Sequence, residues 1–266
     1  AGGMPLPALH VAGELAAADL TPSLPGSPLS VSRHYSADAT TGDIIVRYDL
    51  KHDRDASLGA VELTALGVTM GFDQLFSGRS LAAVAQACSF TDPFLGGGAG
   101  YVQVVSTTGD GPVLLVLPEA PAAAEAWRML ETDPTPRSVT FEGFYELLLH
   151  SKGYAEAEWA NSSGAWNPPT SKVLAPGESY SVSLRLALAP SIRQVDATLL
   201  ARGRPVAAAV PGYVLSRTMR NATLRLTLPA GVAVAEILVE PKGALRLEET
   251  PPATARRPTA AAAAAA

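Results

Sequence analysis

The sequence predicts a mainly β, antiparallel fold, and three observations predict it. Proline (22) and glycine (23) are spread along all 266 residues and cut the chain into short runs, the spacing of turns between strands. Several of those runs alternate apolar and polar residues or carry β-branched and aromatic side chains. Segments with helical character are few and short.

Gly42 to Leu50 (GDIIVRYDL) alternates after a Gly-Asp turn, and Ser57 to Met70 continues with Val61, Leu63, Leu66 and Val68. Ser80 to Cys88 (SLAAVAQAC) begins with a serine suited to cap a helix. Tyr101 to Val105 and Val113 to Leu117 read as strands, Ala122 to Leu130 (AAAEAWRML) as a helix of good helix formers, and Val139 to His150 as a strand. Ser179 to Leu188 (SYSVSLRLAL) is the clearest strand, opened by the Pro176-Gly177 turn, with Tyr180, Val182, Leu184, Leu186 and Leu188 on one face. Ser191 to Gly203 fits a helix with Ile192, Val195, Leu199 and Leu200 at helical spacing, placed to cover the sandwich after that strand. The chain breaks at Ala207 to Tyr213. Three further strands are expected at Ala222 to Leu228, Val232 to Val239 and Ala244 to Glu248, half of an immunoglobulin-like sandwich. From Glu249 the sequence is Pro/Ala-rich without an apolar period and reads as a linker or tail. The expected division is 1–212, 213–249 and 250–266.

With 47% hydrophobic and 17% charged residues, the composition excludes disorder over most of the length. A formal charge of −5 with no Lys/Arg run argues against a nucleic-acid partner. No stretch of 18 apolar residues is present, so no membrane span is expected. Ala1 to Leu9 carries no basic and apolar leader pattern and reads like a segment cut from a longer chain. The single cysteine, Cys88, fits a buried small hydrophobe better than a nucleophile. His10, His34, His52 and His150 show no metal-ligand spacing, and the glycine run at residues 95–100 lacks the Lys-Ser/Thr of a phosphate loop, so neither a metal nor a cofactor is expected. Asn161-Ser162-Ser163 and Asn221-Ala222-Thr223 are glycosylation sequons, which permit a secreted or cell-surface location.

Six blocks carry a resemblance: ADLTPSLP (Ala18 to Pro25), CSFTDPFLGGGAGYVQV (Cys88 to Val104), EAWRMLE (Glu125 to Glu131), TFEGFYELLLHSKGYAEAEWANSSGAWNPPTS (Thr140 to Ser171), LAPGESYSVSLRLALAPSIR (Leu174 to Arg193) and GRPVAAAVPGYVL (Gly203 to Leu215). In order and spacing they resemble the N-terminal region of the DUF5695 family of large secreted proteins, which is similar to six-hairpin glycosidases. The resemblance implies a galactose-mutarotase-like β-supersandwich, then a small immunoglobulin-like module, then a helical toroid holding the sugar-cleaving carboxylates. That toroid has no counterpart in this sequence.

The densest cluster of interesting side chains runs from Phe141 to Asn167, with Glu146, His150, Tyr154, Glu156, Glu158, Trp159, Trp166 and Asn167 as carbohydrate-binding candidates. Flat rings stack on the apolar faces of sugars while carboxylates and amides bond their hydroxyls. On a strand, Glu142, Phe144, Glu146, Leu148 and His150 would share one face. Residues four apart on a strand are roughly 13 Å apart, too far for the carboxylate pair of a glycosidase. In the competing reading, the glutamates bond backbone groups or Arg79, Arg128 and Arg137, and the tryptophans wedge loops onto the sandwich. The expected function is therefore a non-catalytic accessory region of a secreted carbohydrate-active protein. Its expected partner is a carbohydrate or a helical toroid domain. The alternative is a structural module of an extracellular or cell-surface glycoprotein assembly.

Overall fold

The computed structural model describes residues 6–72, 80–130, 144–162, 165, 167–216, 218–239 and 242–248. In chain order its elements are β1 (Ala16–Asp19), β2 (Leu29–Ala37), β3 (Ile44–His52), β4 (Val61–Leu63), β5 (Leu66–Met70), α1 (Leu81–Ala87), β6 (Ser89–Phe94), β7 (Tyr101–Ser106), β8 (Val113–Glu119) and β9 (Ala126–Leu130). There follow β10 (Phe144–His150), α2 (Lys152–Glu156), β11 (Lys172–Leu174), β12 (Ser179–Ala189), α3 (Val195–Ala201), β13 (Val206–Val210) and β14 (Thr223–Thr227). The fold is mainly β and antiparallel, as the turn spacing predicts.

A seven-stranded sheet of order β1-β2-β3-β12-β8-β7-β6 faces a three-stranded sheet of order β5-β10-β9. The period of two explains the arrangement. On β12, Val182, Leu184 and Leu186 point to a core shared with Met70, Leu147 and Leu149 of the small sheet, while Ala187 and Ala189 point the other way. There, with Leu115 and Leu117, they receive Val195 and Leu199 of α3. The small alanines leave room for the helix. The run Val113-Leu114-Leu115-Val116-Leu117 has no alternation because β8 is apolar on both faces, Val116 to one core and Leu115 to the other. Each such side chain contributes about 1.5–3 kcal/mol on burial.

Ser80 Oγ accepts from the Ala83 amide at 3.2 Å, the expected cap of α1. On α3, Val195 and Leu199 are buried as expected, but Ile192 precedes the helix in a single 3₁₀ turn and is half exposed.

The structure corrects the reading of Ala122 to Leu130 as a helix. Its second half is β9, paired with β10 in the register Leu147 to Trp127 and Glu146 to Arg128. Trp127 packs on the core from this edge strand, and the gain from that contact overrides the helix propensity of the alanines. The break expected at Ala207 is instead β13, which pairs antiparallel with β14.

The chain divides into two units, residues 1–229 and 230–266. In the second, turns are present at Gly231 and at Lys242-Gly243, but none of its described residues forms a strand where Val232 to Val239 and Ala244 to Glu248 were expected to do so. Val232, Ile237, Leu238 and Leu247 remain exposed, so no sheet face is buried there to fix a strand register.

Candidate functional site

The outer face of the small sheet carries the cluster. Alternation along β9 sends Trp127 to the core and Arg128 outward, and along β10 sends Leu147 inward and Glu146 outward beside it. Arg128 donates to Glu146 at 3.5 Å and to Glu158 at 2.8 and 3.1 Å. Tyr154 on α2 donates its hydroxyl to Glu146 at 3.3 Å, lies under the Arg128 guanidinium at 4.7 Å, and stacks on Trp159 with ring centroids 5.3 Å apart. The Trp159 indole N–H donates to Glu158 at 3.2 Å. The result is a partly buried pair of stacked rings, with a guanidinium held between two carboxylates over the Tyr154 ring. Hydrogen bonding from Arg128, helped by its charge, holds the Glu158 carboxyl below the usual carboxylate range. A glycosidase acid needs the opposite shift.

Room for Glu146 comes from Gly67 on β5. A Cβ at Gly67 would stand 2.5 Å from Glu146 Oε2 and 2.9 Å from Leu148 Cδ2. Gly67→Ala is therefore expected to push the Glu146 carboxylate off Arg128 and Tyr154, costing about 1–3 kcal/mol as an overpacked site. Thermal unfolding checks the stability, and binding by the Trp159 platform should weaken alongside it.

His150 does not join this face. The ladder between β10 and β5 slips between Leu148 and His150, and the bulge turns His150 toward Tyr180 of the large sheet. A chain of hydrogen bonds fixes its tautomer: Tyr180 O–H donates to Nε2 at 2.9 Å, Nδ1–H donates to Thr170 Oγ1 at 2.7 Å, and Thr170 O–H donates to the buried Glu125 carboxylate. Burial pushes the His150 pKa down, against the pull of Glu125, in keeping with this neutral assignment. Asn167 is also a structural clamp, its amide donating to the carbonyls of Leu95, Ala124 and Glu125. Glu156 is exposed, 4.0 Å from Lys152. Trp166 and Glu142 lie outside the described residues. Asn161 and Asn221 are both exposed.

Of the eight binding candidates, the structure brings four together: Glu146, Tyr154, Glu158 and Trp159. Arg128, their organiser, entered the sequence reading only as a possible partner for a glutamate. Its position opposite Glu146 follows from a strand that the alanine-rich composition concealed.

A second feature was missed altogether. On the outer face of the large sheet an open groove of about 550 Å³ is lined by residues including Ser30, Ser32, Arg47, Asp49, Lys51 and Ser181. Its charges are largely paired: Arg47 meets Asp49 at 3.0 Å and Glu14 at 3.3 Å, and Lys51 meets Asp53 at 3.3 Å. Beside it, buried His34 takes Glu14 at 2.7 Å on Nδ1 and Ser32 at 2.7 Å on Nε2, the spacing of a nucleophile, base and orienting acid. However, Asp49 stands 3.4 Å from the same Nε2, placing negative charge where a developing oxyanion would need donors. The trio therefore fits a structural ion cluster. The groove's serines went unread because Leu29 to Ala37 was not recognised as a strand. The alternating serines Ser30 and Ser32 opposite Leu29 and Val31 were the available signal.

Among the described residues, no group of three His, Cys, Asp or Glu side chains is placed to hold a metal ion, and no helix is long and apolar enough to cross a membrane.

DUF5695, a family of unknown function, matches residues 4–261. No curated protein sequence matches the chain. Among solved structures, a polysaccharide lyase aligns at 16% identity with a TM-score of 0.49, over 67% of this chain and 23% of the lyase, so the chain spans under a quarter of that protein's length.

Proposed function

The chain belongs to the DUF5695 family, and from that premise we propose that it is a non-catalytic, accessory β-sandwich region of a secreted carbohydrate-active protein, glycoside-hydrolase-like, which holds a saccharide on the Tyr154–Trp159 platform. The stacked, partly exposed ring pair with Arg128, Glu146 and Glu158 around it is the observation that carries this reading. The ring faces suit the C–H patches of a sugar, and the surrounding carboxylates accept from its hydroxyls. A helical toroid, in the same or another chain, is the proposed partner, and residues 213–249 are proposed to begin an immunoglobulin-like module.

Trp159→Ala is expected to weaken retention on soluble polysaccharides in affinity electrophoresis at least tenfold, about 1.4 kcal/mol, with thermal unfolding little changed. Undiminished retention by a folded Trp159→Ala protein would remove the platform from the proposal. The exposure of Asn161 and Asn221 supports a second reading, a structural module of an extracellular or cell-surface glycoprotein assembly. Glycans at both sites, with no polysaccharide retained by the wild-type protein, would favour it.

A further inference from the structure

On the outer face of the large sheet, the core beneath α3 stops short of the β6 edge. Tyr101 and Val105 of β7 pack in that core, and directly opposite them on β6 stand Phe94 and Phe90, which are 43% and 51% exposed. Opposed residues of an antiparallel pair share a face, so the α3 side of the sheet continues into a strip of rings that solvent reaches. Phe94 stacks on Tyr101 with ring centroids 4.6 Å apart and planes 13° apart, and because β6 is the edge of its sheet no strand of that sheet stands beyond it. Phe90 lies four residues before Phe94, roughly 13 Å along the strand, a span longer than one sugar ring. Between the two rings project exposed Asp92 and, opposite it, Gln103 of β7. Asp196, in the first turn of α3, adds a second exposed carboxylate on this side. Among the described residues neither carboxylate meets a Lys, Arg or His, and the Gln103 amide has no hydrogen-bond partner. Burial, then the charges of Asp196, Tyr213 and Asp92, push the Tyr101 hydroxyl up to about 12, so both carboxylates act on one point of the strip. Arg204, which reaches the loop joining β6 to β7, is engaged by the carbonyls of Gly98 and Pro118. The strip is therefore ring-lined and negative, with no counter-charge on its two acids.

We propose that the face of β6 carrying Phe90, Asp92 and Phe94, with Tyr101 and Gln103 of β7, binds a chain of cationic amino sugars. The C–H patches of the sugar rings lie on the exposed phenylalanines, and Gln103 bonds the hydroxyls between them. The protonated amines meet Asp92 and Asp196, and the aromatic faces attract the same charge. An exposed ion pair alone contributes little, so a cation without sugar faces is held weakly, as is a sugar without the cation. The choice of a sugar rests on the proposed carbohydrate function, while the site lies on the large sheet, separate from the Trp159 platform on the small one.

The test is calorimetric titration of the full chain with a glucosamine oligomer, in buffer acidic enough to keep its amines protonated and above the ordinary carboxylate range. Separate arms use the N-acetylated oligomer of the same length, which keeps the sugar faces and loses the charge, and an oligolysine of matched charge, which keeps the charge and loses the sugar. The glucosamine oligomer is expected to bind saturably, and both others at least tenfold more weakly. Asp92→Asn and Phe90→Ala, each at an exposed position, are each expected to weaken the glucosamine oligomer at least tenfold. Phe90→Ser serves as a further ring removal if the alanine protein does not fold. Equal binding of the acetylated oligomer or of oligolysine overturns the proposal, the latter because it marks a docking face for a basic peptide. No binding of the glucosamine oligomer overturns it, as does undiminished binding in Asp92→Asn. Binding that survives Trp159→Ala supports the site, whereas binding lost in Trp159→Ala and kept in Phe90→Ala moves the ligand to the platform and overturns it. Retention of neutral polysaccharides by the Trp159 platform is read in a separate assay, so the two readings fail separately.

Discussion

Glu125→Ala is expected to lower the stability of the sandwich by about 3 kcal/mol, a fall of roughly 6–12 °C in unfolding temperature for a unit of this size. The Glu125 side chain is 4% exposed, and its carboxylate accepts from Ser151 Oγ at 2.8 Å, from the Thr170 amide at 3.1 Å and from the Thr170 hydroxyl. Alanine strands all three donors in a site closed to water. One of the three, the Thr170 hydroxyl, accepts from His150 Nδ1–H, so its loss reaches the histidine as well. Glu125→Gln keeps the shape, but its NH₂ would have to face donors, so it is expected to recover only part of the loss. A Glu125→Ala protein that melts with the wild type would show that these bonds are exchanged for water without cost.

Much of this fold was legible because the pleat writes itself into sequence. Ser179 to Leu188 was read almost to its ends, since every second residue is apolar and the strand lies between two partners. Val113 to Leu117 was read as a strand from a continuous apolar run, and only the two cores on its two faces explain why that run does not alternate. What escaped was decided at a distance. Ala122 to Leu130 has the local preferences of a helix, but Trp127 gains more by entering the core from an edge strand than the alanines gain from helical turns. The candidate site escaped in part for the same reason. Glu146, Tyr154, Glu158 and Trp159 were legible as residue types, whereas Arg128 became their neighbour only through the β9–β10 register. His150 was misplaced by one bulge, which a period-two reading does not contain.

Asp43→Ala is expected to cost about 3 kcal/mol, whereas Glu62→Ala, which removes the surface partner of Lys152, should leave the unfolding temperature close to that of the wild type. Asp43 is 5% exposed and bridges two cations: it accepts from Arg202 at 2.5 and 2.8 Å and from Arg185 at 3.2 Å. Arg185 retains Asp38 and Glu119 when Asp43 is lost, but among the described residues Arg202 retains no carboxylate within salt-bridge reach. The arginine side chains stay 17–18% exposed, so the lower end of the range for breaking a buried pair applies. Hydrogen bonding to Arg202 holds the Asp43 carboxyl below its ordinary 3.8, against the opposing effect of burial. A carboxylate with a depressed folded pKa contributes stability that is fully present above the unfolded value and is lost as pH falls through the folded one. The gap in unfolding temperature between wild type and Asp43→Ala should therefore be constant from neutral pH down to about 5 and close progressively below about 4. Asp38, held at about 2 by its hydrogen bond from Arg185, keeps that arginine paired in the same acid range, so the closing gap reports on Asp43 and Arg202. A gap that persisted unchanged into acid would mean that Asp43 stabilises the fold through its backbone turn and not through its charge.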